Sequence, residues 1–281
     1  MDPALTGGMV VAKAVGKEVS DTKVLTRLFG PLADEVGANW SEAYRRHNAA
    51  KVARKAAKRL GSQLDQPAVV NARVAYRLLQ DGSFINDDVM QEYLAGLLAG
   101  SRTQAGDDDR ASYYVDLVAR LPFSQIRLHH AVYAALGTSG ASDDYGESTY
   151  LQLRTLFAPL PSAAEVLQHP TDIDPVNALG EALTGLAREG LISDFTVAER
   201  ARFVYQPYGR AADDPVVDNL VMIVPSQVGC MLALWSHGIR DADVGRLPET
   251  VECNFDTPGP IFAEWRFKHG GVITGLAKPL I

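Results

Sequence analysis

Cysteine is nearly missing from this 281-residue chain, which holds only Cys230 and Cys253. Neither stands at a metal-site spacing, and one pair makes no disulfide framework, so the expected setting is a reducing cytoplasm. Long apolar runs are missing too. Nowhere do ~18 or more apolar residues follow one another, so no membrane-spanning helix is expected. The opening residues, MDPALTGGMVVAKAVGKEVSD, lack the charged, apolar and cleavage-site layout of a secretory leader. Gly-x-Ser-x-Gly, a Walker loop, Gly-x-Gly-x-x-Gly after a strand, His-Glu-x-x-His and Cys-x-x-Cys are all absent. No catalytic residue, metal ligand set or cofactor is therefore expected, although a site assembled from scattered residues would leave no such mark. A positive balance is lacking as well, the net charge being -7. Residues 1–100 hold 13 Lys+Arg against 11 Asp+Glu, whereas residues 101–281 hold 14 against 23. That disfavours a generic nucleic-acid binder while leaving room for one local basic face.

What is present centres on residues 67–101, PAVVNARVAYRLLQDGSFINDDVMQEYLAGLLAGS, which read as two helices and a turn. The first is expected to begin at Pro67, where a missing N–H costs nothing. Val70, Val74 and Leu78 recur at helical spacing, and Gly82 is the expected left-handed C-cap. Asn86 is the expected N-cap of the second, whose stripe is Val89, Met90, Tyr93, Leu94, Leu97 and Leu98. Small residues four apart, Gly96/Gly100 and Ala95/Ala99, predict close approach by another helix.

Residues 40–60 have the most unusual composition. Arg45, Arg46, Lys51, Arg54, Lys55, Lys58 and Arg59 are opposed by one acid, Glu42. On a helical wheel Lys51, Arg54, Lys55, Lys58 and Arg59 share one side, expected to be at least half exposed. Ala49, Ala53, Ala56, Ala57 and Leu60 share the other. The plainer reading comes first: a solvated helix whose alanines pack closely. The functional one is a basic face that binds phosphates, an acidic protein or anionic lipid, with lipid last because alanine is a poor membrane wedge. Residues 1–22 read as a weak amphipathic helix or a frayed end, and 23–39 as a helix broken at Gly30-Pro31.

Further along, residues 106–110, GDDDR, lack the alternation of a calcium loop and read as a solvated cap for a helix over 111–121. A helix over 124–136 follows. Its His129-His130 pair points ~100° apart and cannot chelate one ion, so both read as surface or partner-exposed. Residues 137–147 read as a flexible loop, 150–157 as a short helix or strand, and 162–168 as one or two helical turns. Asp174-Pro175 starts a helix over 176–189, closed by Gly190 and leaving through Leu191-Ile192. Strands are expected over 202–206 and 220–224, joined through a loop at 208–216, and then a helix over 227–237 capped by Ser226. This order is winged-helix-like. Its penultimate helix carries Glu181 and Glu189 against Arg188, a poor match to DNA phosphates. Beyond residue 241, alternation around Val251–Phe255, Phe262–Phe267 and Val272–Thr274 predicts a small β-meander. The expected fold is mainly α: a helical domain (1–112), a winged-helix-like α+β domain (113–242) and a C-terminal β-strand extension (243–281).

Several of these stretches carry a family resemblance: GPLADEVGANW (30–40), the basic Ala-rich helix, DDVMQEYLAGLLAGS (87–101), YYVDLVARLPFSQIRLHHAV, AREGLI and VPSQVGCMLALW. Together they resemble the Abi-alpha (abortive-infection alpha) family of bacterial domains, over roughly residues 25–240. The chain departs in having Tyr93 where a tryptophan is usual nearby, and in its tail after 243. The resemblance implies a cytoplasmic, non-enzymatic sensor or effector adaptor in phage defence, with a phage or host protein as partner and homo-oligomers possible. It brings no catalytic residues. The alternatives are a winged-helix nucleic-acid-binding regulator and a membrane-acting toxic effector.

Overall fold

The computed structural model describes residues 24, 27–28, 43–139, 154–167, 173–205, 216–240, 266–269 and 271–274. The expectations for 1–22, for Gly30-Pro31, for most of the 137–147 and 208–216 loops and for Val251–Phe255 lie outside them. The chain is mainly helical with small antiparallel sheets, and it divides into two compact units, Met1–Ala119 and Arg120–Ile281.

In the first unit, α1 (Ala43–Leu60) runs into a 3-10 turn (Gly61–Asp65). Strand β1 (Val69–Val70) follows, then α2 (Ala72–Gly82), α3 (Asp88–Gly100), β2 (Arg102–Thr103) and α4 (Ala111–Arg120). Residues 67–101 do form two helices, with three local corrections. Pro67 does not start α2; Val69 and Val70 pair with Thr103 and Arg102, and α2 begins after Asn71, whose side chain accepts from Arg73 N. Gly82 is not a left-handed cap but the last helical residue, buried, with Leu94 and Val52 at ordinary contact distance from where a Cβ would stand. The cap of α3 is Asp87 rather than Asn86, Oδ1 accepting from Met90 N at 3.0 Å. A buried carboxylate at the positive end of the helix dipole binds that amide better than a neutral amide oxygen would.

Helix α3 is the axis of this unit. Every residue from Val89 to Gly100 is buried, and α1 lies along it with Ala49, Ala53 and Ala56 buried. The N–H groups of Arg102 reach the carbonyls of Gln63, Leu64, Gln66 and Ala68, tying the exit of α3 to the turn after α1. A planar fork with several donors suits four carbonyls as an ammonium does not.

The second unit runs α5 (Phe123–Ser139), β3 (Arg154–Pro159), α6 (Leu160–Glu165), α7 (Pro175–Arg188), β4 (Ile192–Tyr205), β5 (Val216–Pro225), α8 (Gln227–Ser236), β6 (Arg266–His269) and β7 (Gly271–Thr274). Helix α7 starts as expected, with Asp174 accepting from Val176 N and Pro175 in the first turn. It ends at Gly190, whose φ of +70° is the left-handed conformation glycine tolerates best. The 192–225 strands are longer than expected, β4 starting at Ile192 and pairing with β5 along most of its length.

Sheet order is β6-β3-β5-β4-β7, all antiparallel. The described C-terminal strands therefore form no meander: β6 pairs with β3 and β7 with β4, at opposite ends of the order. Flat strands ~4.8 Å apart would leave those ends roughly 19 Å apart. Residues 269 and 271 are two peptide units apart, roughly 7 Å of chain. The sheet must curl until one segment bridges its two edges.

Beneath the sheet's helices lies a buried polar hub. Tyr133 Oη donates to the Leu191 carbonyl at 2.5 Å and accepts from Ser226 N at 3.0 Å. Ser226 Oγ donates to the Gly190 carbonyl and accepts from Gly229 N. His129 is the correction to the surface reading of the histidine pair. It is fully buried, with Nε2 3.1 Å from the Gly229 carbonyl and its ring tilted against Tyr133. That carbonyl is an acceptor, so Nε2 carries the proton. Desolvation, helped by His130 and opposed by the Gly229 bond, pushes its pKa down to about 3.

A pH dependence follows. The folded value lies below the unfolded one near 6.5, so the unfolded chain gains a proton first as pH falls. Stability present above pH 6.5 is lost through the window from 6.5 to about 3, by about 2 kcal/mol at pH 5. Urea titrations at pH 7.5 and 5 should show a smaller loss in His129→Gln than in the wild type. Equal losses would remove His129 as the source.

Candidate functional site

The seven cations singled out in the sequence lie on α1, and the fold divides them. His47, Lys51, Arg54 and Lys58 recur at steps of four, three and four residues, which on a 3.6-residue helix is one stripe roughly 16 Å long. His47 and Lys58 are exposed, whereas Lys51 and Arg54 are half-buried and fall short of the at-least-half exposure expected of them, because both lie nearer the packed side of α1 than Lys58 does. Arg46 is exposed beside the stripe. Lys58 also lies in the last turn with Arg59, where the negative end of the dipole favours cations.

Lys55 and Arg59 sit one position round the helix, on the shoulder facing α3. They were expected to be at least half exposed, and they are not: their side chains are 12% and 9% exposed. Both donate to Glu92 of α3, Lys55 Nζ to Oε1 and Arg59 Nη2 to Oε2; the Glu92 side chain is 1% exposed. The physical reason is that an acid inside a wholly buried helix cannot remain solvated, so two long side chains from the neighbour reach in and neutralise it.

Arg45 is also drawn inward. Its Nε donates to Ser83 Oγ at 3.2 Å and its guanidinium lies 4.5 Å over the Phe84 ring. Asn48 donates to the Ser83 carbonyl at 3.3 Å, so both fix the α2–α3 corner against α1. The candidate basic face thus resolves into an inward set (Arg45, Lys55, Arg59) that builds the fold and an outer set in which Arg46 and Lys58 are exposed and Lys51 and Arg54 half-buried. Glu92 and Arg102 were missed in the sequence. Glu92 had left a signal, as the one acid on α3 beyond its first turn.

In the second unit, the exposed residues of α7 and its N-cap are Asp174, Pro175, Asn177, Glu181, Thr184 and Arg188, two acids against one cation. Arg120 and Arg188 also reach Glu189 at the end of α7.

Among the described residues, no group of three or more His, Cys, Asp and Glu could hold a metal ion. None of the described helices is long and apolar enough to cross a membrane. No protein-family model matches the chain, and no curated protein or solved structure matches it.

Proposed function

We propose that the chain is a non-enzymatic interaction protein whose outward stripe, Lys51, Arg54 and Lys58 flanked by Arg46 and His47, docks an acidic protein partner. The observation that carries this reading is the division of the α1 cations. Three are turned inward by Glu92 and by the Ser83–Phe84 corner, while Lys51, Arg54 and Lys58 line up at helical spacing on the outer side of α1, exposed or half-buried, with Arg46 exposed beside them. A row of cations along one side of a helix steers an acidic partner and sets its register. The proposed setting is abortive infection, as a sensor or effector adaptor acting in the cytoplasm on a phage or host component. Its support is the sequence resemblance of residues 30–101 and the later helices.

The test is charge reversal, Lys51→Glu/Arg54→Glu/Lys58→Glu together, in a pull-down during infection and in phage plating. Capture and protection should be lost while stability changes by less than ~1 kcal/mol, because solvent-exposed charges contribute little. Full protection by the reversed chain would remove the stripe from the mechanism.

The second unit supports a winged-helix reading. The order α5-β3-α6-α7-β4-β5, with β3 beside β5 and β5 beside β4, is that of a helix–strand–helix–helix–hairpin unit. In such a unit α7 would be the reading helix. Asp174 and Glu181 would meet DNA phosphates with like charge, which favours protein contact over a nucleic-acid regulator. Salt-dependent retention on DNA would reverse that preference.

A further inference from the structure

Residues 266–274 hold the sheet of the second unit closed at both ends of its order. Strand β6 lies along β3 with Phe267 opposite Leu156, and it also touches α5; β7 lies along β4 with Ile273 opposite Phe203. One short segment therefore covers the edge of β3 and the edge of β4 that β5 leaves open.

This segment differs from the rest of the sheet in three ways. It is held by less. Strands β4 and β5 are 14 and 10 residues long and pair along most of that length, whereas β6 and β7 are 4 residues each. Gly270, Gly271 and Gly275 lie within or beside them, and glycine loses the most backbone freedom on pairing. Short ladders of this kind open at a lower free energy than the fold as a whole. The segment also has a long lead. Helix α8 ends at Ser236, and residues 237–265 precede β6. At full extension that lead spans roughly 100 Å, against a diameter of about 40 Å for a unit of this size. Lastly, the two edges it covers are the same in every copy of the chain. A second copy's 266–274 fits them through the same register. The exchange trades identical pairings, so it costs no contact, only the high local concentration that the lead gives a chain's own segment.

We infer that residues 266–274 are an exchangeable strap, which leaves its own β3 and β4 and closes the same two edges in a second copy. The register supplies the test. Thr155 and Lys268 are Cα partners, and opposed residues of an antiparallel pair lie about 4.5–5.5 Å apart at Cα, within disulfide range. Thr155→Cys/Lys268→Cys in one chain should bridge within that chain on oxidation with copper phenanthroline. Thr155→Cys and Lys268→Cys on separate full-length chains, one of them isotope-labelled, should bridge between copies when mixed and oxidised, with a yield that rises with concentration. Peptide mapping reads the bond between positions 155 and 268. In the wild type, hydrogen exchange at 266–274 should be about tenfold or more faster than at 220–223, which pair with β3 and β4 on their two sides. Separate chains that form no such bond, while the double variant bridges internally, would overturn the inference. So would wild-type amides at 266–274 as protected as those at 220–223. A double variant that makes no internal bridge would overturn it too, because the strap's own pairing would then be wrong.

Discussion

Glu92→Ala is expected to cost the first unit about 3 kcal/mol, because it takes from Lys55 and Arg59, both part-buried, the carboxylate they share. Removing one member of a buried ion group is worse than never having had it: the desolvation of the remaining charges is no longer offset. The companion variant makes the argument sharp. Glu92→Leu combined with Lys55→Met and Arg59→Met removes all three charges at similar volume and should fall within about 1 kcal/mol of wild type, or above it. Lys55→Met alone should cost less than Glu92→Ala, since Arg59 still satisfies one carboxylate oxygen. Hydrogen exchange along α1 and α3 reads these effects within the unit. If Glu92→Ala protects those amides as well as wild type does, the triad is no part of what holds α1 to α3. This experiment also separates the two sets of cations, because Lys51→Glu, Arg54→Glu and Lys58→Glu should leave the same amides protected.

Gly229→Ala should be at least as damaging in the second unit, at about 3 kcal/mol or more. A Cβ there would stand 2.0 Å from Tyr133 Oη and 2.2 Å from the Leu191 carbonyl oxygen. The carbonyl is main chain and cannot swing away, and Tyr133 is held by Leu191 and Ser226. Relief requires α8 to move off α5, which breaks the His129 contact with the Gly229 carbonyl as well. Gly190→Ala is the contrast. A Cβ there would meet nothing within 4 Å, so only the positive φ is penalised, at about 1–2 kcal/mol. Thermal unfolding of the two variants should rank Gly229→Ala well below Gly190→Ala. The reverse order would mean that the hub yields by side-chain rearrangement alone.

The parts legible in sequence are those whose signals are local. Asp174-Pro175 and Gly190 bracket α7 because capping and left-handed closure need only neighbouring residues. The alanine face of α1 was legible for the same reason, since periodicity alone placed Ala49, Ala53 and Ala56 inward. What was misread depended on partners far along the chain. Val69-Val70 is a strand only because Arg102-Thr103 lies beside it. His129 is buried because a carbonyl 100 residues later accepts from it. Lys55 and Arg59 look like their neighbours on a wheel, and only the position of Glu92 on another helix turns them inward. At the candidate site, composition gave the cluster of cations, and tertiary packing decided which of them face solvent.

The curled sheet also sets an order of events during synthesis. In the first unit the neighbours α1, α2 and α3 follow one another closely, so their contacts can form as soon as the segment leaves the ribosome. The second unit is different. Strand β3 receives β6 with Arg154 opposite His269, a pairing 115 residues apart in sequence, and high contact order makes such a step slow. Until residues 266–274 are made, β3 and β4 each present a row of unpaired backbone groups, the kind of edge that recruits other chains. The nascent second unit therefore passes through a stage open to association and to chaperones, long after the first unit has closed.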